Sequence, residues 1–171
     1  MKANVNSSIL FILLIIAQLI MTNYFHLSQF VSLSLLPAMI LCVPLSIPTV
    51  LVMLIAFATG LSVDIFAEGV LGLNAFCLIP VALARDSIIS LVIGSEVVIR
   101  GGEFSFRKNG VAKVSLAILM AVALFVLVYV IVDGAGTRGF WFNSARFIAS
   151  TLCNFALGVI AVRLLNAQDR F

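Results

Sequence analysis

The sequence predicts an all-α protein that crosses a membrane six times, and three observations predict it. Hydrophobic residues make up 63% of the 171, and charged residues only 10%. Soluble domains carry about 25% charged and about 45–50% apolar residues. With a mean hydropathy of +1.26, the chain cannot cover itself with polar surface, so lipid must be its solvent. Second, the apolar runs are long and apolar on every side, whereas membrane β-strands alternate over segments of about ten residues. Third, no Lys, Arg, Asp or Glu stands between Lys2 and Asp64. That interval holds three helical spans of about 20 residues each, joined by very short turns. The length suits one integral membrane domain over residues 1–171, with a polar loop at 86–113 inside it.

The first span is expected at residues 7–23. Lys2 and the apolar run that follows imitate a signal peptide, but no small-residue cleavage site follows, so the run reads as an uncleaved span. Asn23, His26, Ser28 and Gln29 mark a break. A second span is expected at 29–45, ended by Pro44 and Pro48, which disfavour an unbroken helix. The third runs over 48–66. Asp64, Glu68, Gly69 and Gly72 mark the next break, and a short fourth span follows at 71–84, where Pro80 introduces a kink. The clearest span is 114–132. A glycine-rich loop carrying Asp133 and Arg138 leads to the last, 145–165. Five spans result if the second and third merge around a kink.

Basic residues set the orientation. With six spans, Lys2, Arg85, Arg100, Arg107, Lys108, Lys113, Arg163 and Arg170 fall on one side, and only Arg138 and Arg146 on the other. The positive-inside rule places the eight, and both termini, in the cytoplasm of an inner-membrane protein. Asp64, Glu68 and Asp133 then lie at the outer face, with Phe140, Trp141 and Phe142 as an interfacial anchor. In the cytoplasmic loop, Ile88, Ile89, Val92 and Ile93 share a helical face suited to the membrane surface. Residues 96–107 read either as a small β-hairpin turning at Gly101 and Gly102 or as a solvated loop.

No basic tail or stripe suggests nucleic acid. Cys42, Cys77 and Cys153 lie in apolar stretches at no metal-ligand or redox spacing, and read as small buried hydrophobes. The informative stretch holds Gly60, Leu61, Asp64, Glu68, Gly69, Gly72, Asn74 and Ala75. Its glycines allow close helix approach or sharp turns. A carboxylate at the centre of a span costs about 2.5–3.5 kcal/mol on insertion scales, so it faces protein or water. Asp64 either sits among headgroups at a helix end or accepts hydrogen bonds from amides at the broken start of the fourth helix, fixing the angle between helices three and four.

On Gly60, Leu61 and Asp64 followed by Leu71, Gly72, Leu73, Asn74 and Ala75, the chain resembles the MreD family of rod-shape-determining membrane proteins. The resemblance takes in Gln18, residues 23–26 and Pro37 upstream, and Arg85 downstream. It covers the first half of the chain, while the second half matches in hydropathy and length. One departure is Asp86 after Arg85, where similar chains carry a proline. The resemblance implies a fold like the substrate-binding membrane subunits of vitamin (ECF-type) transporters and no enzymatic activity or cofactor. It implies a role in the elongation complex for lateral peptidoglycan synthesis, with MreC, the MreB filament, RodA and its cognate penicillin-binding transpeptidase as partners.

Three functions compete. A non-catalytic scaffold leads, because nucleotide motifs, metal clusters and a soluble domain are lacking in the sequence. A substrate-binding transporter subunit is the alternative, since broken helices with glycines near a carboxylate mark solute sites; the polar residues on the spans are few, chiefly Gln18, Asn74 and Asn154. An intramembrane enzyme would need Asp64 and Glu68, four residues apart, to share a wet cleft.

Overall fold

A computed structural model describes residues 2–24, 32–68, 71–99, 101–102, 104–134 and 139–167. Among the described residues the chain is helical and holds no strand. Helix α1 covers Lys2–Tyr24, α2 Leu36–Leu41 and α3 Thr49–Val63, which continues into a π-helical turn at Asp64–Glu68. Helix α4 covers Leu73–Val92, α5 Ser95–Ile99, α6 Phe106–Asn109, α7 Val111–Gly134 and α8 Phe140–Ala167.

Four of the described helical stretches are long and apolar enough to cross a membrane: Thr49–Phe66, Leu73–Val92, Val111–Gly134 and Trp141–Leu165. A shorter apolar stretch, Phe11–Asn23, lies in α1. The outward faces of these helices are apolar. Leu54, Leu83, Ile131 and Leu152 are each 59–64% exposed. Such a continuous apolar surface is stable only against lipid.

The packing is sequential: α3 lies on α4, α4 on α7, and α7 on α8. The second expected span is not a continuous helix. Residues 32–35 take no regular secondary structure and only α2 is helical, yet all six of its residues are buried. Leu36, Met39, Ile40 and Leu41 form the centre of a core that also takes Leu78, Val81, Ile118, Val122 and Phe125. Pro37 starts the helix, where its missing N–H is no loss. Turns closed by Cys42 N–H to Met39 O and Val43 N–H to Ile40 O end it.

A non-helical backbone inside an apolar bundle needs its polar groups satisfied. Two neighbouring helices supply the partners. From α1, Gln18 accepts from Leu35 N–H at 2.7 Å and donates to Leu33 O at 3.1 Å. From α8, Asn154 Oδ1 accepts from Ser34 N–H at 2.8 Å, and Ser150 Oγ from Ser32 N–H at 3.1 Å. Gln18, Ser150 and Asn154 therefore hold a non-helical segment.

Further differences have physical causes. Helix α4 does not stop at Ala84. It runs on to Val92, and Pro80 sits inside it. Asp86, standing where a proline would end the helix, donates its own N–H and lets it continue. Ile88 and Ile89 are accordingly buried against the core, not spread on a membrane surface. The hairpin reading of 96–107 fails: Ser95–Ile99 and Phe106–Asn109 are helical turns, with Gly102 N–H donating to Val97 O. Arg100 and Glu103, its cross-strand pair, lie outside the described residues. Of the cysteines only Cys77 is fully buried, while Cys153 faces outward.

Candidate functional site

Helix α3 ends in the π turn, and that turn carries Asp64 into the bundle with no exposure to solvent. Its carboxylate lies over the N-terminus of α4. Oδ2 accepts from Gly72 N–H at 3.0 Å and Ala75 N–H at 3.2 Å. Oδ1 accepts from the backbone N–H and the side-chain amide of Asn74, both at 3.0 Å. The first turn of any helix leaves N–H groups without intrahelical partners. The residue at the N-cap of α4, Gly72, has no side chain to meet them. Asp64 meets them from the preceding helix.

Gly60 makes this possible. It lies one turn before Asp64 on the same face. A Cβ there would stand 2.5 Å from Ala75 Cα and 2.6 Å from Ala75 N, both backbone atoms. Only a glycine lets the first turn of α4 come within reach of the carboxylate. Gly72 has φ +93°, a left-handed conformation that costs other residues about 1–2 kcal/mol. It turns the chain sharply enough to bring residues 74 and 75 back under α3.

The structure thus gathers Gly60, Asp64, Gly72, Asn74 and Ala75 into one contact. Leu61 is half-buried beside it. Gly69 lies outside the described residues, as does His26, and the same holds for the side chain of Glu68. A shared Asp64–Glu68 cleft therefore has no described partner for Asp64, whose two oxygens are occupied by donors from α4.

Arg85 stands apart, about 16 Å further along α4. Its buried guanidinium donates to the carbonyl of Val43, beyond the end of α2, and lies 3.5 Å from Asp86. Asp86 in turn accepts from the Thr49 hydroxyl at 2.7 Å. This cluster pins the turn between α2 and α3 to α4, as Asp64 pins the other end of α3. A third tie joins α7 to α8: Arg146 donates to Asp133 and lies 5.5 Å from the centre of the Tyr129 ring. The pairing of Arg146 with Asp133, and the backbone partners of Gln18 and Asn154, are absent from the sequence reading. Lone polar residues in apolar helices were their signal, but their partners lie on other elements.

Among the described residues no three His, Cys, Asp or Glu side chains come together as a metal site. The arrangement at Asp64 can orient two helices, and its acceptor capacity is spent on doing so. Comparisons of the chain with protein-family models, curated proteins and solved structures find no match.

Proposed function

We propose that this chain is a non-catalytic membrane scaffold of the cell-elongation machinery, of the MreD type, supporting rod shape and lateral peptidoglycan synthesis. One observation carries the reading. The residues on which the family resemblance rests, Gly60, Asp64, Gly72, Asn74 and Ala75, form a helix-to-helix joint whose polar groups are bonded to one another. A motif spent on fixing the shape of a hairpin serves a surface, and a surface serves partners. Those partners are MreC, MreB, RodA and its cognate transpeptidase.

The reading includes six crossings of the inner membrane with both termini cytoplasmic. Five are helices, and the remaining one is the segment of residues 32–43, part irregular and part α2. With Arg85 and Arg146 left out, because both are buried inside the long helices, the basic residues divide seven to one and support the orientation.

The substrate-subunit reading, with its ECF-type fold, is favoured by one feature. Helix α2 is a short helix entered from a non-helical segment, as in membrane solute sites. Against it, Gln18 and Asn154, the side chains a solute would need, already hold that segment's backbone.

Depletion in the native host tests the scaffold. Cells round or widen, and the protein co-purifies with MreC from gently solubilised membranes. Normal shape together with loss of uptake of a specific vitamin would sink the scaffold in favour of the transporter.

A further inference from the structure

The inward face of α8 carries a file of polar side chains: Asn143, Arg146, Ser150, Thr151 and Asn154. It runs about 16 Å along the helix, eleven residues at about 1.5 Å each. Four of these keep a buried polar atom with no hydrogen-bond partner among the described residues: Asn143 Oδ1, Arg146 Nε, Thr151 Oγ1 and Asn154 Nδ2. Asn154 has no exposure, Arg146 only 7% and Thr151 9%. Buried polar atoms without partners are rare, a few per hundred residues, and here four share one stripe of one helix. Each costs about 1–3 kcal/mol if it stays unbonded. An apolar bundle does not gather such a row unless something polar meets it.

We propose that the interior face of α8 is a water-binding file, running from the Asp133–Arg146 pair to Asn154 at the non-helical segment before α2. The chemistry of the atoms identifies the ligand. Asn143 Oδ1 offers an acceptor, Arg146 Nε and Asn154 Nδ2 offer donors, and the Thr151 hydroxyl offers both. Such a mixed sequence suits a small neutral molecule that donates and accepts, which is water. A chain of anions would find Asn143 Oδ1 repulsive. A chain of cations would meet Arg146.

The end at Asp133 is the mouth. Asp133 is about a quarter exposed, and Asn143 is half-buried beside the close approach to Gly134. The deep end is Asn154, whose other amide atom holds Ser34 N–H. Water there completes the hydrogen bonding around the non-helical segment before α2. A buried water makes about three hydrogen bonds, and Thr151 and Asn154, three residues apart on one helix face, are spaced to share one. The opposite face of the same helix, Ile148, Leu152 and Ile160, is exposed and apolar, and so supplies an internal control at equal depth. This inference does not depend on the scaffold reading, and its failure leaves that reading untouched.

The test uses the full chain in detergent or liposomes with Cys42, Cys77 and Cys153 replaced by alanine. Single thiols are introduced by Thr151→Cys, Asn154→Cys, Ile148→Cys and Leu152→Cys. The probe is hydrogen peroxide, uncharged and close to water in size, which oxidises a thiolate to a sulfenic acid and is itself reduced to water. The readout is protection from a fluorescent maleimide after denaturation. A thiol must ionise to react, and apolar surroundings raise its pKa, which slows it roughly tenfold for each unit. The thiols at 151 and 154 are therefore protected at least about tenfold faster than those at 148 and 152. Equal rates at all four positions, or faster reaction at 148 and 152, overturn the file. If the cysteine-free background does not fold, hydroxyl-radical footprinting of the unaltered protein decides. Oxidation of Tyr129, which lies beside Arg146, above that of the lipid-facing Phe57 supports the file, and the reverse order overturns it.

Discussion

Burying the Asp64 carboxylate among apolar helices costs about 2.5–3.5 kcal/mol on insertion scales, and four donors from α4 offset that cost. The balance sets the sign of two substitutions. Asp64→Asn keeps the size but turns an NH2 group toward donors. Asp64→Ala leaves three backbone N–H groups and the Asn74 amide unbonded. Each unpaired buried group costs about 1–3 kcal/mol, and a lost helix cap about 0.5–2 kcal/mol. Both variants lower the melting temperature in detergent, with a loss of at least about 2 kcal/mol for Asp64→Ala. An unchanged melting temperature would return Asp64 to a mere headgroup charge. Gly60→Ala tests the close approach separately. Its methyl would overlap the backbone of Ala75, which cannot rotate away as a side chain can, so overpacking costs about 1–3 kcal/mol. Gly158→Ala also overpacks but less severely, because its nearest neighbours, Ile118 Cγ2 at 2.9 Å and Ala38 Cβ at 3.2 Å, lie further away than the Ala75 backbone does from Gly60, although neither can swing clear. At this scale the joint was legible. The glycines allowed a close approach or a sharp turn, and Asp64 read either as a headgroup charge or as an acceptor for the start of the fourth helix; its four donors select the second. The roles of Gln18 and Asn154 were not, because their partners are backbone atoms on a segment far along the chain.

Among the elements, α2 and the non-helical stretch before it depart most from expectation. Hydropathy reports that residues 29–45 avoid water but not whether they coil, since a buried irregular segment and a buried helix are equally apolar. What decides is the supply of hydrogen-bond partners from α1 and α8, a long-range fact. The ends of α4 and of the π turn were blurred for a related reason. Arg85 reads as a helix end because charges usually lie outside spans, yet here a charged side chain is buried against Val43. The longer spans were legible, since length and continuous hydrophobicity fix them. The non-helical stretch yields a prediction opposite to simple hydrophobicity. Gln18→Leu makes α1 more soluble in lipid, yet it strips Leu35 N–H and Leu33 O of their partner. We expect a loss of about 1–3 kcal/mol, seen as a lower melting temperature and faster proteolysis between α1 and α2. A more stable Gln18→Leu protein would show that the non-helical segment is not held from α1.

For the whole molecule, four long apolar helices with lipid-facing surfaces establish a multi-pass membrane protein. The six-crossing reading makes a sided prediction: a single thiol at position 108 is labelled from the cytoplasm and one at position 137 from the opposite side. Labelling of both from the same side contradicts it. The ties at Asp64, at Arg85 with Asp86 and Thr49, and between Asp133 and Arg146 fasten successive elements near their ends. A bundle fastened in this way presents a fixed surface, as a scaffold requires. The central claim is that the Asp64 joint sets the surface offered to partners. The most direct measurement is complementation of depleted cells by Asp64→Ala, with the membrane level immunoblotted and MreC co-purified. The account predicts that the variant inserts, because the apolar helices that drive insertion are unchanged, while cells stay rounded and MreC recovery falls. Rod-shaped cells with MreC retained, at the wild-type membrane level, would contradict it.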